Sequence, residues 1–236
     1  MTPLIRSIRC GPVAQLSVGT TGEWWDKPWT SGFHKHAVDD EVGLGPLGLD
    51  GDAQADRAHH GGPDKAVCAY PSEHFPHWRR ELVLPQLGPG AFGENFTLAG
   101  LTEAVVCIGD VFRVGTAMVQ VSQPRQPCWK LARRWRVKDL VLRVEQTGFT
   151  GWYFRVLQAG QVRTGNALHH LDRPFPQWTI AAANEVMHRN LNDLSRAAEL
   201  ASCPALSTSW KEHLARRAAQ GRDQDDSRAT RKERAG

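Results

Sequence analysis

The sequence contains no long apolar run, no closely spaced pair of cysteines and no strong excess of either charge, and each absence removes a class of protein. No stretch approaches the ~18 consecutive apolar residues of a membrane helix, and residues 1–11 lack a long apolar segment ending in a cleavage site. A cytoplasmic protein without membrane association is expected. The five cysteines, Cys10, Cys68, Cys107, Cys128 and Cys203, are scattered, odd in number and never spaced Cys-x-x-Cys. This argues against a disulfide framework, a structural zinc site or a cysteine-held iron–sulfur cluster. A formal charge of +4, from 29 basic and 25 acidic residues, does not make the one-sided surface of a stable nucleic-acid binder. Anionic small molecules remain compatible with it.

With 236 residues, 41% of them apolar, the chain can fill a real core in one or two domains. Residues 13–18 alternate weakly as a strand does, and Trp24, Trp25, Pro28 and Trp29 follow as an aromatic, turn-rich insert. Residues 31–38 read as an exposed hairpin strand. The glycine-rich run 42–49 suits tight corners and bulges better than a helix, punctuation that fits a barrel, and no Gly-x-Gly-x-x-Gly dinucleotide-binding motif is read in the chain. Residues 66–70 read as a buried strand, and Pro71 with Ser72 introduces a helix to about Leu84 on which Phe75, Trp78 and Leu82 recur at helical spacing. Residues 105–121 alternate as a hairpin. Val137, Leu140, Val141 and Val144 mark a short amphipathic helix, and residues 152–171 return to strands. Pro174 and Pro176 form a boundary, after which residues 181–189, 193–201 and 209–219 are three helical patterns, the third opened by a Ser209-x-x-Glu212 capping box. These readings divide the chain into a strand-rich domain (1–173), a three-helix domain (177–220) and a charged tail, 221–236, expected to be disordered.

Three loops carry the polar residues that could do chemistry. After the second hairpin strand, Pro124 and Pro127 halt the chain and fix a loop holding Cys128 between Arg125 and Lys130. Cations beside a thiol favour its thiolate, the form that attacks electrophiles and binds metals. The bland account is an idle thiol, but Cys68 and Cys107 sit in apolar strands and Cys10 and Cys203 look structural, which leaves Cys128 as the candidate. Arg125, Lys130, Arg133 and Arg134 could be a solvated basic face or could bind phosphate. In the second loop, His59 and His60 precede Gly61 and Gly62, which permit close approach of backbone to a ligand. Adjacent residues diverge, so only one histidine faces a site, and His60 is chosen. Glu94 and Asn95 form the third candidate. No carboxylate–histidine cluster suited to a zinc hydrolase accompanies them, and a Cys–His nucleophile pair stays open.

Taken in order and spacing, His60-Gly61-Gly62-Pro63-Asp64-Lys65-Ala66-Val67, Phe92-Gly93-Glu94-Asn95-Phe96 and Gln120-Val121-Ser122-Gln123-Pro124-Arg125-Gln126-Pro127-Cys128 resemble the MOSC domain, named for the C-terminal part of molybdenum cofactor sulfurase. Within it they are most similar to the bacterial branch that protects against N-hydroxylaminopurine. The similarity spans about 44–171, and the helices after Pro176 resemble that branch's three-helix domain. The resemblance implies a mainly β fold, a MOSC-type β-barrel with a few flanking helices. It implies a molybdenum cofactor with Cys128 as a metal ligand, Ser122, Gln123, Arg125 and Lys130 around the pterin and phosphate, and His60, Lys65, Glu94 and Asn95 lining the mouth. The implied reaction, with Cys128 and His60 as catalytic residues, is reduction of N-hydroxylated bases, hydroxylamines or amidoximes, with electrons from a flavoprotein reductase. Assembly, as monomer or homodimer, is left open. The tryptophan-rich insert does not resemble the family. The alternatives are a non-catalytic carrier of cofactor or sulfur with a persulfide on Cys128, and an interaction protein with an idle cysteine.

Overall fold

A computed structural model describes residues 2–16 and 19–221. The expected disordered tail, apart from Gly221, lies outside them. Strands β1 (Leu4–Cys10), β2 (Ala14–Leu16), β3 (Trp29–Ser31), β4 (His36–Val38), β5 (Val42–Gly45) and β6 (Gly48–Leu49) precede a short helix, α1 (Arg57–His60). Strand β7 (Val67–Pro71) leads through one 3-10 turn into α2 (Phe75–Leu82), followed by β8 (Phe96–Ala99), β9 (Val111–Val114) and β10 (Ala117–Pro124). Helices α3 (Trp129–Trp135) and α4 (Leu140–Thr147) then separate β10 from β11 (Trp152–Gln158), β12 (Gly160–Val162) and β13 (Leu168–Asp172). The chain ends in α5 (Ile180–Asn184), extended by a π-helical turn, α6 (Leu194–Ala201) and α7 (Thr208–Gln220).

Eight strands form one sheet in the order β13-β9-β10-β11-β7-β8-β1-β4, antiparallel except for β7 with β8. The sheet curls until the start of β1, the strand next to its edge strand β4, meets the chain entering β13. Leu4 bridges Ala167, the Ile5 N–H donates to the Asn166 carbonyl (2.9 Å) and the Leu168 N–H donates to the Pro3 carbonyl (2.9 Å). The expected barrel is therefore a sheet joined by a short link, without a continuous ladder at the seam. Inside it, Ile5, Ile8, Val67, Phe96, Val119, Val121, Trp152 and Phe154 are fully buried. Trp178, just before α5, and Ile180, Leu200, Trp210 and Leu214 of the C-terminal helices belong to the same apolar cluster, so this segment closes the core of the sheet.

Local chemistry corrects several expectations. Gly43-Leu44-Gly45-Pro46-Leu47-Gly48 has the Gly-x-Gly-x-x-Gly spacing, yet it makes the β5–β6 hairpin. No helix N-terminus follows to receive a pyrophosphate. Helix α2 stops at Leu82, where Val83 adopts the left-handed conformation (φ 54°). The cap of α7 is Ser207, whose Oγ accepts the Trp210 N–H (3.4 Å), and not Ser209.

A second aromatic cluster, around Tyr70, Trp78, Phe92 and Leu131, takes in Trp29 from the insert and Phe33, which is buried although residues 31–38 read as an exposed strand. The Arg133 guanidinium lies 5.8 Å from the Trp29 ring and 5.4 Å from Trp129, and its Nε and Nη2 donate to the carbonyls of Trp25 and Lys27. The insert is thereby fastened over α3. Gly93 makes room for Phe33 beneath it: at φ 72°, a Cβ there would sit 2.7 Å from two carbons of the Phe33 ring. Gly93→Ala is expected to destabilise the fold by about 2–4 kcal/mol, the sum of left-handed backbone strain and overpacking, read as a lower urea midpoint. An unchanged midpoint would show that Phe33 is not held there.

Candidate functional site

Strand β10 delivers the residues of the proline-bounded loop to one end of the sheet. The Arg125 N–H donates to the Gly151 carbonyl (3.0 Å), and Cys128 is the residue from which α3 starts. Cys128 is half-buried, whereas the four other cysteines are buried. It opens on a cleft of about 580 Å³, counted out to open solvent. His60, Lys65, Asn95, Arg125 and Lys130 from the sequence-based set share that cleft. Arg125 is only 5% exposed and Lys130 8%. One guanidinium nitrogen of Arg125, Nη1, is buried with no hydrogen-bond partner.

Three expected ligands are placed elsewhere. Ser122 is fully buried, its Oγ donating to the carbonyls of Asp64 (2.5 Å) and Tyr153 (3.1 Å). Gln123 donates to the Pro124 carbonyl and receives the Ser209 hydroxyl. Glu94 accepts the Gly90 and Phe92 N–H groups (2.5 and 3.0 Å) and the Thr97 hydroxyl (2.8 Å). None of the three lines the cleft, because each one's polar atoms are engaged in holding neighbouring backbone or side chains. Asn95 does line it, but its amide is also engaged. It donates to the Arg9 carbonyl (3.1 Å) and Asp52 Oδ2 (2.9 Å) and accepts the Cys68 N–H (3.1 Å). Asn95 is a wall element and not an open donor.

Other groups in the cleft were not selected from sequence: Lys35, Asp52, Gln54, Cys68 and Tyr153. The Asp52 carboxylate gathers Lys35 Nζ, the Gly11 N–H, Gln54 Nε2 and Asn95 Nδ2, so it braces one wall and pairs with the lysine. Cys68 and Tyr153 lie opposite each other in the β7–β11 register, and Tyr153 opposes Gln123 in the β10–β11 register. Cys68, read as a structural thiol in an apolar strand, is buried but faces the cleft. Burial pushes its pKa up to about 11, which keeps the thiol protonated.

The two adjacent histidines diverge. His59 turns its ring to solvent against Asp56, and His60 lines the cleft. Lys65 Nζ donates to the His59 carbonyl (2.8 Å), and burial lowers its pKa. For His60, burial first and then the Lys130, Arg125 and Lys65 charges push the pKa down from 6.5 to about 3. A neutral His60 is therefore expected at neutral pH. The unfolded chain binds more protons than the folded one between those two values, so stability contributed by His60 is lost as pH falls from about 6.5 towards 3. A histidine NMR titration should show His60 unprotonated down to about pH 4, and inorganic phosphate should move its pKa upward by neutralising Arg125 and Lys130. An ordinary titration near 6.5 in the free chain would contradict this environment.

The chemistry on offer is that of an anion cleft with a soft ligand. Buried cations can hold a phosphate, and a single accessible cysteine can supply one thiolate to a metal. Among the described residues no group of three or more His, Cys, Asp or Glu could hold a metal ion.

A family model described as MOSC domain matches residues 56–169, and one described as YiiM-like, 3-alpha helix domain matches residues 178–221. The protein YflK of Bacillus subtilis (strain 168) is 48% identical over 201 residues, which cover 84% of this chain and 90% of that protein. A protein of Gibberella moniliformis (strain M3125 / FGSC 7600) named Reductase is 35% identical over 178 residues, 74% of this chain and 32% of its own length. This chain thus corresponds to about a third of it. The crystal structure of YiiM from Geobacillus stearothermophilus matches with a TM-score of 0.76 at 39% identity, covering 92% of this chain and 99% of that one.

Proposed function

The chain belongs to the MOSC domain family, in the branch carrying a YiiM-like three-helix domain, and from that premise we propose that it is a molybdenum-cofactor-dependent reductase of N-hydroxylated compounds. One observation carries the reading: the half-buried Cys128 and the buried Arg125, whose Nη1 has no hydrogen-bond partner, line the same cleft. A cysteine sulfur and an unsatisfied buried donor together fit a ligand that carries both a soft metal and a phosphate.

In this reading Cys128 holds the metal, and Arg125 with Lys130 receives the phosphate, Arg125 through directed N–H bonds and Lys130 as a point charge. The bound cofactor supplies two-electron chemistry that removes the N-hydroxyl oxygen. His60, neutral and lodged among the cations, offers a ring N–H or a lone pair to substrate without adding charge. Lys35 with Asp52, and Gln54 held by the same carboxylate, form a further polar wall of the cleft, and in this reading that wall faces the substrate. The overall change is R–NHOH + 2 e⁻ + 2 H⁺ → R–NH₂ + H₂O, with N-hydroxylated bases, hydroxylamines and amidoximes as the substrate class. The glycine-rich hairpin cannot act as a dinucleotide site, so electrons come from a separate donor, a flavoprotein reductase. The name of the longer Gibberella relative, Reductase, supports reductive chemistry.

The test is the molybdenum and pterin content of the full chain made in a host that synthesises the cofactor, followed by turnover of an N-hydroxylated base with a reduced viologen as donor. Stoichiometric metal and amine formation are expected. Protein free of both metal and pterin would overturn the reading, and metal without turnover under any donor would make the chain a carrier.

A further inference from the structure

The loop that brings His60 and Lys65 to the cleft is soft by composition. Gly61 and Gly62 sit at its centre, Gly62 at φ 91° with open space around it, and its internal backbone bonds are few: His60 N–H to Asp56, Gly61 N–H to Arg57 and Lys65 N–H to Gly62. Its firm attachments come from outside, and most of them converge on Asp64. One carboxylate oxygen lies 2.8 Å from Arg155 Nη2 on β11, and the other accepts the N–H of Thr208, 3.0 Å away, at the first position of α7. The Asp64 carbonyl receives the Ser122 hydroxyl from β10 (2.5 Å). The start of α7 is itself fastened to β10, through the Ser207 N–H to the Ser122 carbonyl (2.9 Å) and the Ser209 hydroxyl to Gln123 (3.4 Å).

Ser207 already caps α7 through its own side chain, so the distant carboxylate is not needed to supply a missing local cap. It satisfies another of the unpaired N–H groups that every helix start presents, and the helix dipole favours a negative charge there. The bond joins residues 144 positions apart. It places the last helix in direct support of the loop, one residue from Lys65.

We propose that Asp64 is a positioning residue through which the N-terminus of α7 holds the cationic loop of the cleft in place, making the three-helix unit a working part of the site. Reciprocity follows: whatever loosens the start of α7 loosens His60 and Lys65, and the reverse. The consequence for cofactor retention rests on the reductase reading, whereas the mechanical coupling does not.

Hydrogen exchange on the ligand-free full chain tests the coupling. Asp64→Ala is expected to speed exchange at His60, Gly61, Lys65 and Thr208 together by about tenfold, the scale of one lost hydrogen bond. The Val121 amide, bonded to Asp110 within the sheet, should not change. A second variant approaches from the helix side. Thr208→Pro removes only the donor, because proline is tolerated at the first helical position and Ser207 is already extended (φ −61°, ψ 151°). It should speed the same three loop amides. Loop amides that stay at wild-type rates in both variants would overturn the proposal and reduce Asp64 to a helix cap. In a cofactor-producing host both variants should also hold several-fold less molybdenum than wild type. A wild-type protein without molybdenum would sink the reductase reading and leave the exchange result to judge Asp64.

Discussion

Cys128→Ala is expected to give a folded protein that binds at least ~100-fold less molybdenum than the parent and does not reduce N-hydroxylated bases. The estimate follows from outer-shell changes alone weakening metal sites about 10–100-fold, so that loss of the ligand itself does more. The fold should not notice. Cys128 is half-buried, belongs to neither apolar cluster, and its side chain makes no capping bond at the start of α3. A change in stability within about 1 kcal/mol is expected for a residue of that kind, measured by urea titration beside elemental analysis of the same sample. Cys68→Ala is the internal control. That thiol faces the same cleft, yet burial keeps it protonated and out of the thiolate form a metal needs. It should lose packing and keep its metal. Molybdenum retained by Cys128→Ala but lost by Cys68→Ala would exchange the two roles and end the present assignment.

The contrast between the two cysteines also shows what the sequence could and could not disclose. The strands were legible where apolar residues alternate, as in 111–121, although residues 105–110, read into the same hairpin, precede its first strand and β10 runs on to Pro124; the loop was legible at Pro127. The convergence of the His60 and Cys128 loops was legible only through the family resemblance, because nothing local to either segment encodes their meeting. Polar residues beside a motif were over-read. Ser122, Gln123 and Glu94 look like ligands in sequence, but whether a polar atom is free depends on backbone groups that fold against it, here those of Asp64, Pro124, Gly90 and Phe92. The reverse error hid Tyr153 and Asp52. Tyr153 gains its place from register, opposite Cys68 on one side and Gln123 on the other, and register is a property of paired strands. Asp52 gains its role by collecting donors from Gly11, Lys35, Gln54 and Asn95, residues spread over 85 positions of the chain.

Arg125 carries the second large expected effect, and it has opposite signs for binding and for stability. A guanidinium 5% exposed, with one nitrogen lacking any partner, carries the cost of a buried and incompletely satisfied donor group. No carboxylate among the described residues forms an ion pair with it. The arrangement makes sense if an anion completes it. Arg125→Met, similar in length and apolar, is therefore expected to leave the melting temperature of the cofactor-free chain unchanged or higher. Cofactor retention should fall about 10–100-fold, the equivalent of one charge-assisted hydrogen bond at about 1.5–3 kcal/mol. Arg125→Lys should restore only part of that, because an ammonium provides charge without the planar fork. Thermal unfolding with and without inorganic phosphate, alongside pterin content, reads both effects: phosphate should raise the wild-type melting temperature and leave that of Arg125→Met in place. A variant that unfolds more readily when empty yet keeps its cofactor would show that Arg125 supports the fold and that the anion is held elsewhere.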